Sequence, residues 1–179
     1  MEKILLSDIA SAVGGIINIE ADITEICTDT RQLSDGCLFL AIRGDRFDGH
    51  DFVAYAFEKG AVVAITEKQI ENYPCIVVKN TRKAFLDVAK YYRKLYNIRL
   101  VGVTGSVGKT TTKEMIALVL SEKYKTLKTE GNLNNEIGLP KTLLGINKEH
   151  KAAVIEMGMS DFGEIERLSD TAMPTIAVI

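Results

Sequence analysis

Lys109 and Thr110 follow two glycines in the run VGVTGSVGKTTTKEM, residues 101–115. Gly105, Ser106, Val107, Gly108, Lys109, Thr110 and Thr111 form a Gly-x-x-Gly-Lys-Thr-Thr stretch between an apolar run and a helical pattern. This is the chemistry of a phosphate cradle. The glycines let successive N–H groups turn toward one point without Cβ clashes. A helix beginning at Lys109 or Thr110 adds its positive end. Lys109 can reach β- and γ-phosphates as a point charge, and the Thr110 hydroxyl can serve Mg²⁺. The common loop G-x-x-x-x-G-K-[ST] has a leading glycine where this chain has Val103. The substitution indicates a variant class of the loop. A chance glycine turn is the weaker reading, because strand, loop and helix signals occur in the required order.

Two further stretches end on the same side of a parallel sheet. AAVIEMG places Glu156 at the end of a buried strand, next to Gly158. A hard carboxylate oxygen there suits Mg²⁺, which binds one or two carboxylates plus phosphate oxygens. The bland alternative is an acid that caps the next helix, but Asp161, with Glu164 three residues on, fits a capping box better. GNLNNEIGLP follows another strand and offers Asn132, Asn134 and Asn135 as donors and acceptors. By composition alone it reads as a plain turn. His50 and His150 lack metal-ligand spacing and are expected at the surface or in packing.

These residues need elements to hold them. LLSDIASAVGG reads as a helix capped by Ser7 and stopped by Gly14-Gly15. ICTDTRQLSDGCLFLAI predicts a short strand, a turn at 34–36 and an apolar strand from Cys37 to Ile42. DFVAYAFEKG predicts a helix with Phe52, Val53, Ala56 and Phe57 on one side; AVVAI and CIVV predict buried strands. Residues 81–96 show a helical stripe whose tyrosines belong to the core or its boundary. From Asn97 onward, IRLVGVT, YKTLKT, AAVIEMG and PTIAVI alternate with helical segments, the pattern of a parallel sheet built from right-handed crossovers. The chain stops inside the apolar run TIAVI, so it is expected to be part of a longer protein.

The balance of 22 basic and 24 acidic residues gives a formal net charge of -2, and no dense Lys/Arg run is present. A nucleic-acid surface is therefore not expected, and an anionic ligand must be held locally. The three cysteines, Cys27, Cys37 and Cys75, lack C-x-x-C spacing and read as small buried residues of a reducing compartment. The N-terminus does not read as a signal peptide, and no run approaches the ~18 apolar residues of a membrane helix. A cytoplasmic protein without membrane insertion is expected.

TGSVGKTTTKEM, GNLNNEIGLPKTLL and AVIEMGMSDFGEIE together resemble the central domain of the Mur ligases, and CTDTRQLSDGCLFLAIRGDRFDGHDF is similar to the N-terminal domain of that family. The family's phosphate loop also lacks the leading glycine, so Val103 fits. The resemblance implies an α/β fold in two parts. A small N-terminal α/β domain over 1–97 would bind a UDP substrate, and an incomplete parallel-sheet domain of the phosphate-loop type over 98–179 would bind ATP. NLNNEIG and EMG imply the activity that joins D-alanyl-D-alanine to UDP-N-acetylmuramoyl-tripeptide through an acyl phosphate, in peptidoglycan precursor synthesis.

Residue by residue, the resemblance assigns Gly105 through Thr111 to the ATP phosphates, Thr110 and Glu156 to Mg²⁺, and Asn134 and Asn135 to the ATP and substrate cleft. Lys109, Glu156 and Asn134 form the implied catalytic set. Thr28, Asp29, Thr30 and Arg31 would surround the uridine diphosphate, together with the loop from Arg43 through Gly44, Phe47, Asp48 and Gly49 to His50. A monomer is expected, and the 179 residues alone are not expected to complete the reaction. Three alternatives remain open: the sibling ligase that adds the third amino acid, a non-enzymatic nucleotide-binding module, and, less favoured, a phosphate-loop kinase.

Overall fold

The computed structural model describes residues 1–44 and 47–179. It comprises two compact units, Met1–Val88 and Ala89–Ile179. The division falls inside one helix, and the break expected near Asn97 follows the last turn of that helix.

The first unit opens with β1 (Ile4–Leu5), α1 (Leu6–Ala12) and β2 (Asp22–Ile23). The two strands pair antiparallel. Two residues per strand are too few for a period-two pattern, so this ribbon was not legible in the sequence. Ser7 does not cap α1: the preceding position is Leu5, and Ser7 lies within the first turn. The second sheet contains β3 (Ile26–Cys27), β4 (Leu38–Leu40), β5 (Val63–Thr66) and β6 (Cys75–Val77), in that order and all parallel. α2 (Val53–Glu58) connects β4 to β5. Both faces of such a sheet are covered, which is why β4 and β5 are continuous buried apolar runs. The three cysteines sit buried in this core.

α3 (Thr81–Lys94) follows β6. Asn80 caps it by accepting the Lys83 N–H at 2.8 Å. Its last turns belong to the second unit. There Tyr92 is fully buried and donates to the Ile146 carbonyl at 2.7 Å. The buried Arg93 guanidinium donates to the carbonyls of Tyr96, Ile98 and Ala172.

The second unit alternates β7 (Arg99–Val103), α4 (Lys109–Ser121), β8 (Thr126–Lys128), α5 (Gly138–Leu144), β9 (Ala152–Glu156), α6 (Glu164–Ala172) and β10 (Ile176–Val178). The strands lie in the order β10-β7-β9-β8, all parallel. Val103 of β7 is in register with Glu156 of β9 on one side and Val178 of β10 on the other. The last residues of three strands therefore share one edge, where a parallel sheet presents its ligand sites. Among the described residues, no helix is long and apolar enough to cross a membrane.

The capping box expected at α6 is displaced. Glu164 does reach back, but its carboxylate accepts the N–H and hydroxyl of Ser160, while the Asp161 carboxylate accepts the N–H of Phe162 and its backbone carbonyl that of Glu164. A left-handed Gly163 precedes the helix and shifts the frame of the box.

Candidate functional site

The loop from Thr104 to Gly108 joins the end of β7 to the start of α4. Thr104 anchors its base: the backbone N–H donates to Val178 at 3.0 Å, and the hydroxyl donates to the Met157 carbonyl at 3.0 Å. Gly105 has φ +130° and Gly108 φ +76°; a Cβ on Gly108 would meet open space, and one on Gly105 would meet nothing closer than 3.8 Å. Glycine is required at these positions for backbone conformation rather than for packing. Ser106, Val107, Gly108, Thr110 and Thr111 are exposed. The first turn of α4 leaves its N–H groups without intrahelical partners at the exposed end of the loop. Lys109 folds back, its ammonium donating to the Gly105 carbonyl at 2.8 Å.

Glu156 is only 2% exposed, although it ends its strand at the ligand edge. Its Oε2 accepts the Thr110 hydroxyl at 3.0 Å, and its Oε1 accepts the Asn134 side-chain N–H at 2.8 Å. The phosphate loop, the NLNNEIG loop and the end of β9 thus meet at one carboxylate. Asn134 is held from behind, because its carbonyl accepts the Gly158 N–H at 2.7 Å. A Cβ on Gly158 would stand 3.1 Å from the Asn134 amide, so the glycine permits that close approach.

Asn135 does a different job within the fold. Its side-chain oxygen accepts the N–H groups of Ile137 and Gly138, closing the turn into α5. The plain-turn reading therefore describes Asn135, whereas Asn134 points its amide at Glu156.

Lys113 was not singled out from the sequence. It is 1% exposed, its ammonium donates to the Thr129 carbonyl at 2.7 Å, and it lies 3.8 Å from Glu156 Oε2. A signal was present: with Ile116, Ala117 and Leu120 it occupies the i, i+3, i+4, i+7 face of α4 that turns toward the sheet. A lysine among inward positions marks a buried charge with a partner.

Among the described residues, no group of three or more His, Cys, Asp or Glu could hold a metal ion. The donor set of one carboxylate and one hydroxyl nevertheless fits Mg²⁺ in a particular way. Mg²⁺ keeps several waters and takes one or two carboxylates plus phosphate oxygens, so this set suits an ion that arrives with a nucleotide.

In the first unit the segments 28–31, 43–44 and 47–50 follow β3 and β4, adjacent parallel strands, and so lie on one edge of that sheet. Asp29 accepts the Arg31 N–H at 3.0 Å and pairs with its guanidinium at 2.6 Å. Thr28 and Thr30 flank this pair, and both are half-buried. Arg43 and Asp48 form an isolated antiparallel bridge, closed by the Gly44 N–H on the Phe47 carbonyl at 2.9 Å. Asp45 and Arg46, inside the expected loop, lie outside the described residues.

Phe47 is 74% exposed. His50 stands behind the loop: its ring is buried, Nδ1 faces Asp48, and Nε2 accepts the Glu67 N–H at 2.8 Å. That bond sets the tautomer, with the proton on Nδ1. Asp48 is held below the usual carboxylate range by the His50 N–H and ring. Gly49 completes the turn, its N–H donating to the Ile42 carbonyl at 3.0 Å.

A glycine-rich strand-to-helix loop beside a strand-end carboxylate, preceded by a unit with its own four-stranded parallel sheet, agrees with the family matches. Residues 22–99 match the model described as the Mur ligase family, catalytic domain, and residues 103–179 match the Mur ligase middle domain. The chain belongs to the Mur ligase family. Over 175 residues it is 46% identical to the UDP-N-acetylmuramoyl-tripeptide--D-alanyl-D-alanine ligase of Synechocystis sp., covering 94% of this chain and 38% of that protein. It superposes on the crystal structure of MurF from Acinetobacter baumannii with a TM-score of 0.95 at 39% identity, over 99% of this chain and 40% of that one. MurF ligase from Thermotoga maritima, crystallised in complex with ADP, gives a TM-score of 0.79 at 36% identity, over 84% of this chain and 35% of that one. The chain spans about two fifths of the length of the relatives it matches.

Proposed function

We propose that this chain carries the UDP-substrate site and the ATP-phosphate site of a ligase that adds D-alanyl-D-alanine to UDP-N-acetylmuramoyl-tripeptide in peptidoglycan precursor synthesis. The observation that carries the reading is the 2.8 Å contact between Asn134 and Glu156. It unites NLNNEIG and EMG, the two segments on which the choice of this ligase within the family rests. On this reading residues 1–97 hold the uridine diphosphate along the edge formed by 28–31, 43–44 and 47–50, and residues 98–179 hold ATP. The family likeness to cell-wall ligases makes the cytoplasm the expected place of action.

The reaction is an acyl activation. The free carboxylate of the muramoyl tripeptide takes the γ-phosphoryl of ATP, giving an acyl phosphate and ADP. The amine of D-alanyl-D-alanine attacks the acyl carbon, a tetrahedral intermediate forms, and phosphate leaves as the amide closes. Phosphoryl transfer asks the protein mainly for positioning and charge neutralisation. The N–H groups at the start of α4 receive phosphate oxygens, and Lys109 exchanges the Gly105 carbonyl for the β- and γ-phosphates. Thr110 and Glu156 would hold Mg²⁺, which when bound neutralises charge on those phosphates. Asn134 keeps the Glu156 carboxylate aimed, and no nucleophilic side chain is required.

The test is ADP release by the complete gene product. It should require both UDP-N-acetylmuramoyl-tripeptide and D-alanyl-D-alanine. Turnover with the dipeptide precursor and a free amino acid instead would transfer the chain to the sibling ligase. ATP binding without any affinity for a UDP-muramoyl ligand would make it a nucleotide-binding module.

A further inference from the structure

A lysine only 1% exposed beside a carboxylate only 2% exposed calls for a physical reason. Burying two charges costs several kcal/mol per ion before their attraction is counted, and an apolar side chain would fill the same space without that cost. Here Leu or Met on the inner face of α4 would pack against the sheet as Ile116, Ala117 and Leu120 do. Lys113 instead carries a charge to the ends of two strands. Its ammonium binds the carbonyl of Thr129, the residue after β8, at 2.7 Å. Thr129 in turn receives the backbone N–H of Glu156 on its hydroxyl at 2.9 Å and donates its own N–H to Val154 at 3.0 Å. Lys113, Thr129 and Glu156 thus close a ring linking α4, β8 and β9.

The local charges pair off. Lys113 lies 3.0 Å from Glu114 and 3.8 Å from Glu156, and Lys128 lies 2.5 Å from Glu114. Lys128 also pairs with the exposed Glu114, so Lys113 divides its charge between Glu114 at the surface and the buried Glu156.

We propose that Lys113 is a positioning residue that acts through Glu156. It fixes the carboxylate between Thr110 and Asn134, and its resident charge opposes a divalent ion at that carboxylate until nucleotide phosphates supply compensating negative charge. This rests on Glu156 being the metal ligand. One carboxylate already matched by a lysine is a poor site for a bare ion, and among the described residues no other carboxylate cluster assists it. With a diphosphate or triphosphate in the loop the balance reverses. Metal binding is thereby made conditional on nucleotide.

The experiment measures Mn²⁺ binding to the complete gene product by electron paramagnetic resonance, with and without ADP, alongside thermal melting. Wild type should bind Mn²⁺ at least about tenfold more tightly with ADP than without it. Lys113→Met should tighten nucleotide-free binding by about tenfold and shrink that ratio, because a like charge a few ångströms from the ion is removed. Lys113→Gln keeps a donor for the Thr129 carbonyl but not the charge. It should shrink the ratio equally while melting higher than Lys113→Met, and it serves if the methionine variant does not fold.

Melting that falls while the ratio stays at its wild-type value would show a purely structural lysine and overturn the proposal. So would a wild type that binds Mn²⁺ equally with and without ADP. Glu156→Gln separates the two readings. If it weakens Mn²⁺ binding while Lys113→Met and Lys113→Gln change nothing, the positioning role alone fails. If it leaves Mn²⁺ binding intact, the metal assignment fails and takes the proposal with it.

Discussion

Replacing Lys109 by alanine should weaken ADP and ATP binding while leaving the fold nearly untouched. Within the chain Lys109 makes a 2.8 Å bond to the Gly105 carbonyl and is half-buried. One such bond contributes about 0.5–1.5 kcal/mol net, and its carbonyl turns to water once the lysine is gone. Alanine returns a few tenths of a kcal/mol through its higher helix propensity. The melting temperature should therefore fall by no more than about 2–4 °C.

The cost to the nucleotide is larger. A unit charge at about 4 Å from a phosphate oxygen is worth about 4 kcal/mol at an effective dielectric of 20. The ammonium must first give up the Gly105 carbonyl and some hydration, which leaves about 2–3 kcal/mol. That corresponds to about a 30- to 150-fold loss of ADP or ATP affinity. Isothermal titration calorimetry with ATP, ADP and AMP, paired with thermal melting of the same samples, measures both quantities. AMP, which lacks the β- and γ-phosphates, should bind wild type and variant alike. Should ATP affinity hold while melting drops by ten degrees or more, Lys109 is a structural residue and the cradle is misassigned.

Two further outcomes follow from the geometry. Gly158→Ala would bring a Cβ to 3.1 Å from the Asn134 amide. The amide must shift by a few tenths of an ångström, loosening its bond to Glu156, and Mn²⁺-ADP affinity should fall about fivefold; unchanged affinity would show that Asn134 does not aim the carboxylate. Burial, aided by the nearby charge of Lys125, holds the His150 imidazole below its usual pKa, and its Nδ1 accepts the Asn147 N–H at 3.1 Å. The unfolded chain therefore takes up the proton first. Stability from this site is complete above about pH 6.5 and declines as pH falls below that value toward the folded pKa. Melting between pH 7.5 and 5 should show that loss, and His150→Gln should flatten it; an identical slope in the variant would exclude His150 as the source.

Much of the second unit was readable because its elements are long and locally determined. The strand-loop-helix order around Gly105 and Gly108 follows from apolar runs, positive-φ glycines and a helical period, all within about twenty residues. In the first unit the two-residue strands β1 and β2 carry no such pattern, and the Ser7 cap failed because α1 starts one residue before it. The two histidines were expected at the surface or in packing and both are buried, yet nothing local shows that His50 faces Asp48 and accepts the Glu67 N–H. Lys113 was missed for a related reason. Its helical position marks it as inward, but its partners Thr129 and Glu156 come from later strands.

The sequence by itself determined that a glycine-rich strand-to-helix loop, a strand-end acid and an asparagine-rich turn exist, and that they flank parallel strands. Backbone conformation and hydrophobic period are properties of neighbours along the chain. The tertiary structure alone decided that these pieces meet at one carboxylate. Glu156 receives Asn134 from 22 residues away and Thr110 from 46, and the register of β7, β8 and β9 brings them together. It also decided which asparagine turns inward and that a buried lysine stands behind the carboxylate. Those outcomes depend on which strands pair and in what register, and no window of sequence contains that information.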